Sequence, residues 1–154
     1  MKRSCLVIVV LAILLTMQAT PVVAKGLAVP NGQATKVLLV YNPVYLQTAP
    51  HILAAYESVL QEEGVPFERM DVFQLVAANV DNLVKTVPVM ILPDGVLQHV
   101  PARFNEWIKQ YLSRGGNVAI SYDVGIKAED GFYLDQSALA DIVGINYITY
   151  KTMG

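Results

Sequence analysis

A few side chains stand where chemistry could be done, each at the end of a hydrophobic run. GGNVAISYDVG, Gly115 to Gly125, stops on Ser121, Tyr122 and Asp123, and VPVMILPDG, Val87 to Gly95, stops on Asp94. KVLLVYN, Lys36 to Asn42, stops on Tyr41 and Asn42, and His99 follows Asp94 by five residues. Two carboxylates and an amide on one surface could hold a cation, bind sugar hydroxyls or raise one another's pKa. Asp94 and Asp123 are the catalytic candidates. As an acid–base pair assisted by His99 or Tyr122 they would serve hydrolysis of a glycoside or related substrate. Asn42, Asp94, His99, Tyr122 and Asp123 are the ligand-binding candidates, and Tyr41, Tyr45 and Tyr122 could form a platform of the kind that stacks sugars. Each residue also has an ordinary use. Asp and Asn end strands and cap the next turn, histidines such as His51 and His99 sit at surfaces and caps, and tyrosines half-bury at strand ends.

Other chemistries lack their residues. YNPVYLQTAP, after the first hydrophobic run, has no glycine with which to wrap a phosphate, and no GxGxxG follows, so no nucleotide, flavin or other cofactor is expected. With two histidines and no HExxH-like spacing, no metal site is expected. A nucleophile elbow needs a strand, a tight turn and a Ser or Cys at its apex. The fourth hydrophobic run supplies the strand and Gly125, but its apex would be Asp123 or Val124. Ser121 lies two residues too early, with no His and Asp in triad order behind it.

The elements that must position these residues alternate. KVLLVYN is an aliphatic, β-branched run suited to a strand buried on both faces. After a loop containing Pro43 and Pro50, HILAAYESVLQEEG places Ile52, Leu53, Tyr56, Val59 and Leu60 at helical spacing, with Gly64 at the stop. PFERMDV reads as the second strand and FQLVAANVDNLVKT as one helix turning Leu75, Val76, Val80, Leu83 and Val84 inward. VPVMILPDG is the third strand. PARFNEWIKQYLSRGG is a helix with Pro101 in its first turn and Phe104, Trp107, Ile108, Tyr111 and Leu112 as its apolar stripe. NVAISYD is the fourth strand, QSALADIVGI a short helix and NYITYK a fifth strand.

Connections this short with right-handed crossovers imply an α/β flavodoxin-like three-layer sandwich around a parallel sheet of about five strands, order 2-1-3-4-5. In that order the first, third and fourth strands are neighbours, so their carboxyl ends would bring Asn42, Asp94 and Asp123 to one rim. The sequence ends four residues after Tyr150, short of a covering helix. Either the fifth strand is an exposed edge or the domain opens a longer protein.

Residues 1–24 have the pattern of an export signal: Lys2 and Arg3, the apolar run CLVIVVLAILL, and Val22 and Ala24 ahead of Lys25. The run is about half the ~20 residues that cross a bilayer, which favours cleavage over an uncleaved anchor. Residues 25–35 form a linker, and 36–154 the domain. Cys5, the one cysteine, lies in the segment to be removed, so the mature chain would have no disulfide and no thiol. Without Lys2 and Arg3, nine basic residues face thirteen acidic ones, a net charge of −4. With no basic run, nucleic acid is not an expected partner. A periplasmic or extracellular location follows, with membrane contact only during export or through an uncleaved signal.

VMILPDG, then FNEWIKQYLSRGGNVAISYDVGIKAEDG, then SALADIVGINY together resemble the class I glutamine amidotransferase-like superfamily. The closer likeness is to its non-catalytic branch, seen in the trimerisation domain of family 42 β-galactosidases and in related exported bacterial domains. The likeness extends from Lys36 to about Tyr150. The superfamily's cysteine would fall near Asp123 and Val124, where there is none, so the resemblance implies a domain without thiol chemistry. Its implied role is assembly or ligand binding, in an envelope or carbohydrate-related protein, with itself, further domains of a longer chain or a carbohydrate as partner. A carboxylate-dependent hydrolase and a purely structural oligomerisation domain are the alternatives.

Overall fold

A computed structural model describes residues 36–145. The signal segment, the linker and the expected fifth strand lie outside the described residues. Four parallel strands, β1 (Val37–Tyr41), β2 (Phe67–Asp71), β3 (Val89–Leu92) and β4 (Asn117–Ile120), lie in the order β2-β1-β3-β4. The fold is α/β and flavodoxin-like. These are the first four places of the expected order, with β4 at the end of the described sheet.

β1 is central, pairing Leu39 with Arg69 on one side and with Ile91 on the other. Its Leu38, Leu39 and Val40 are fully buried, as a strand covered on both faces requires. One face carries Leu38, Val40, Met90 and Leu92 into the main core. There they meet α3 (Val72–Ala77), α4 (Val80–Thr86) and α5 (Phe104–Ser113). The stripe Phe104, Trp107, Ile108 and Tyr111 is buried, with Leu112 partly so. Tyr111 Oη donates to Val87 O at 2.6 Å from inside this core, and burial pushes its phenol up to about 12. Gly116 lets the chain turn against that ring: a Cβ there would lie 2.2 Å from Tyr111 Cε1.

The opposite face is covered by α2 (Pro50–Glu62). Here the apolar pattern misses an ion pair. Leu53 is buried, but Glu57 is buried with it while Val59 is exposed. Arg69 of β2 donates from Nη2 to Glu57 Oε2 at 2.6 Å, and its Nε meets Oε1. Burying a carboxylate one turn beyond Leu53 requires such a partner.

Several boundaries differ from the sequence reading. The segment after Asn42 is a helix, α1 (Pro43–Thr48), because Asn42 Oδ1 accepts from Val44 N at 3.0 Å and Pro43 occupies the first turn. FQLVAANVDNLVKT is two helices. Asn79 caps α4 by accepting from Asn82 N at 3.0 Å, while Trp107 Nε1 donates to the Ala78 carbonyl at 3.1 Å, so the break is stabilised from both sides. α5, expected to hold Pro101 in its first turn, starts instead at Phe104, after a turn closed by Phe104 N donating to Pro101 O at 2.8 Å. The last described helix, α6 (Ala140–Val143), is a single turn ended by Gly144 with φ of 68°.

Candidate functional site

β1, β3 and β4 are neighbours, so their carboxyl ends and the segments leaving them share one rim. β3 gives way to the loop Pro93–Val100, which folds over β1: Asn42 N donates to Val96 O at 2.8 Å. Gly95 holds φ of 67° with Ile52 against it; a Cβ would lie 2.3 Å from Ile52 Cδ1, so both conformation and space ask for glycine. β4 gives way to a strap, residues 121–136, which returns along the same loop. Gly125 N donates to Leu97 O at 3.0 Å and Lys127 N to Gln98 O at 2.8 Å.

The two candidate carboxylates have different surroundings. Asp123 Oδ1 accepts from Gly95 N at 2.8 Å and Oδ2 from Gln98 Nε2 at 2.5 Å. Both oxygens therefore tie the strap to the β3 loop. Asp94 Oδ1 accepts instead from Tyr56 Oη of α2 at 2.8 Å, and Tyr56 Oη lies 2.9 Å from Ser121 Oγ. A phenol has one hydrogen; with it given to Asp94, Ser121 is the donor to Tyr56. The result is a directed chain, Ser121 to Tyr56 to Asp94, spanning β4, α2 and β3. Burial raises the Tyr56 phenol; the Ser121 bond lowers it and the Asp94 carboxylate raises it. Tyr56 is thus a protonated donor at neutral pH. The sequence places Tyr56 on the helix's inward stripe; only packing shows that its hydroxyl reaches the rim.

Asn42 and His99 are positioning groups. Asn42, 1% exposed, accepts from Val44 N and donates from Nδ2 to His99 O at 3.0 Å. His99 Nδ1 lies 3.2 Å from Lys127 O. A carbonyl only accepts, so Nδ1 carries the hydrogen and Nε2 is left as an acceptor in the neutral ring. His99 is paired with the backbone of Lys127. Tyr122 is 82% exposed. Tyr45, one of the three tyrosines of the expected platform, takes part in a grouping the sequence did not suggest: Lys127 Nζ stands 5.6 Å from the Tyr45 ring centroid and 5.1 Å from that of Tyr133. Burial raises the Tyr45 phenol, and the neighbouring Tyr133 raises it further. Lys127 and Tyr133 lie in the strap, where no periodicity marks them. Among the described residues no three His, Cys, Asp or Glu side chains gather as a metal site.

The apex after β4 faces inward. Val124 is 2% exposed and belongs to the main core. Gly125, with φ of 66°, turns the chain behind it, and a Cβ there would come within 3.1 Å of Ala138 Cβ. Ser137 Oγ donates to Val124 O at 2.9 Å, and Ala138 N donates to Gly125 O at 2.8 Å, closing the turn. A nucleophile elbow must present its apex to substrate; this one presents it to the hydrophobic core.

Fold and rim together define an α/β flavodoxin-like domain with a hydroxyl, carboxylate and tyrosine-lysine surface at the carboxyl ends of its strands, the ordinary ligand position of such sheets. No protein family and no curated protein matches the chain. Among solved structures it is similar to a β-galactosidase from Bifidobacterium adolescentis, with a TM-score of 0.59 and 12% identity, over 79% of this chain. The chain spans 58% of the length of that structure. At that identity the likeness is one of fold.

Proposed function

We propose that this chain is a ligand-binding domain of a carbohydrate-related protein, built on the amidotransferase-like plan without its nucleophile and reaching its place by export. The observation that carries the reading is the apex after β4: Val124 is packed in the core, and Asp123 spends both oxygens on Gly95 and Gln98. What remains directed outward is binding chemistry. Tyr133 is 61% exposed, and its ring beside Lys127 offers a stacking surface, while Ser121, Tyr56 and Asp94 offer a fixed array of hydroxyl and carboxylate. The named β-galactosidase activity of the structural neighbour supports the carbohydrate connection. The amidotransferase-like and trimerisation relationship rests on the sequence resemblance, and an assembly role is decided by solution mass.

The test pairs hydrolysis with binding. Chromogenic glycosides, esters and amides incubated with the chain are expected to stay intact, while galactose-containing oligosaccharides bind in calorimetry. Hydrolysis that disappears in Asp94→Asn would sink the reading and favour the hydrolase alternative, in which Asp94 and Asp123 act with His99 or Tyr122 assisting. Export predicts a secreted product whose first residue is Lys25.

A further inference from the structure

Lys127 is presented to the rim from a fixed point. Its N–H donates to Gln98 O at 2.8 Å and its carbonyl faces His99 Nδ1 at 3.2 Å. The side chain then runs between two tyrosines, with Nζ inside the ~6 Å range of a cation–π contact on each. The rings stabilise the ammonium without neutralising it. Among the described residues the ion pairs are Lys36–Glu68, Arg69–Glu57 and Arg114–Asp81, and none includes Lys127. The nearest acids in sequence, Glu129 and Asp130, are exposed, and Asp130 Oδ1 accepts from its own loop at Phe132 N, 3.1 Å. An ammonium held among aromatic rings on a half-buried lysine, with no carboxylate paired to it among the described residues, is available to an anionic acceptor. The raised Tyr45 phenol stays protonated at neutral pH, so its ring adds no charge opposite the ammonium. The exposed Tyr133 ring supplies what a simple anion would not need, a flat apolar surface matching the C–H face of a pyranose.

We propose that Tyr45, Lys127 and Tyr133 form a subsite for a carboxylate-bearing sugar, a hexuronate unit whose carboxylate meets Lys127 Nζ while its ring lies on Tyr133. The subsite rests on the carbohydrate-binding reading given above and names the sugar class it would take.

Titration calorimetry on the chain from Lys25 to Gly154 compares tetragalacturonate, a neutral galactotetraose and acetate. Tetragalacturonate is expected to bind more tightly than the neutral sugar, with affinity falling as salt rises, and acetate to bind weakly. Lys127→Met is expected to lower affinity for tetragalacturonate about ten- to a hundredfold, the size of a lost charge-assisted hydrogen bond, and to lower that for the neutral sugar far less, so that the preference between the two collapses. Lys127→Arg should retain the preference, and Tyr133→Ala should weaken both sugars; unchanged circular dichroism and melting show that each variant is folded. Equal affinity for both sugars, indifferent to Lys127→Met, overturns the subsite while leaving carbohydrate binding standing. Acetate competing as well as tetragalacturonate does also overturns it, because the sugar ring then contributes nothing. Binding of neither sugar overturns both the subsite and the reading beneath it.

Discussion

Removing the Asp123 carboxylate tests whether this residue holds the rim or works in it. Its oxygens accept from Gly95 N at 2.8 Å and Gln98 Nε2 at 2.5 Å, linking the strap after β4 to the loop after β3. A hydrogen bond to a charged group contributes about 1.5–3 kcal/mol when well shielded. Asp123 is only half-buried, so water takes over part of that, and Asp123→Ala is expected to cost about 2–3 kcal/mol for the two bonds together. Asp123→Asn should cost about 1 kcal/mol, because Asn Oδ1 still accepts from Gly95 N and the Gln98 amide can turn its oxygen toward the new Nδ2. Urea unfolding measures the difference. For a domain of this size, with roughly 4 °C per kcal/mol, the melting temperature should fall by about 10 °C in the alanine variant and about 4 °C in the asparagine variant. An alanine variant as stable as the parent that nonetheless loses saccharide binding would refute this account, since Asp123 would then be acting on the ligand.

Three further outcomes follow from packing. The Tyr111 phenol is raised from 10.0 to about 12, so the folded chain holds its proton over a range where the unfolded chain releases it; this stability is complete below pH 10 and is lost as pH rises toward 12. That component, of order 2–3 kcal/mol, should vanish in Tyr111→Phe, which flattens the unfolding profile between those limits. Gly116→Ala drives a Cβ into the Tyr111 ring at 2.2 Å and should cost about 1–3 kcal/mol, whereas Gly64→Ala meets no atom within 4 Å and is penalised only by its φ of 66°. Arg69→Met strands the buried Glu57 and should cost about 1–3 kcal/mol, moderated because the arginine is half exposed; adding Glu57→Leu should recover most of the loss, as a double-mutant cycle in urea would show.

Much of the architecture is legible in the sequence because burial is periodic. The runs VLLV and VMIL can be satisfied only inside a sheet, and Phe104, Trp107, Ile108 and Tyr111 share one helical face. From these the order of strands follows, and with it the meeting of Asn42, Asp94 and Asp123 at one rim. Periodicity says nothing about polar atoms that find partners far away in sequence. Glu57 looks like a solvent-facing acid until Arg69 of β2 is placed beneath it. Asp94 and Asp123 look equivalent as strand-ending acids, and become different only when Tyr56 reaches one and Gly95 and Gln98 reach the other.

By itself the sequence determined the parallel α/β sheet, that neither Ser nor Cys stands at Asp123 and Val124 after the fourth strand, and that no glycine lies in YNPVYLQTAP after the first, since each depends on residue type and local spacing. Tertiary structure alone decided that Val124 turns into the core, that Asp123 is a tie between two loops, and that Lys127 stands between Tyr45 and Tyr133. The physical reason is the same in all three: which way a loop side chain points is set by contacts made across the sheet rather than along the chain, as when the strap follows the loop after β3 through Gly125 to Leu97 and Lys127 to Gln98.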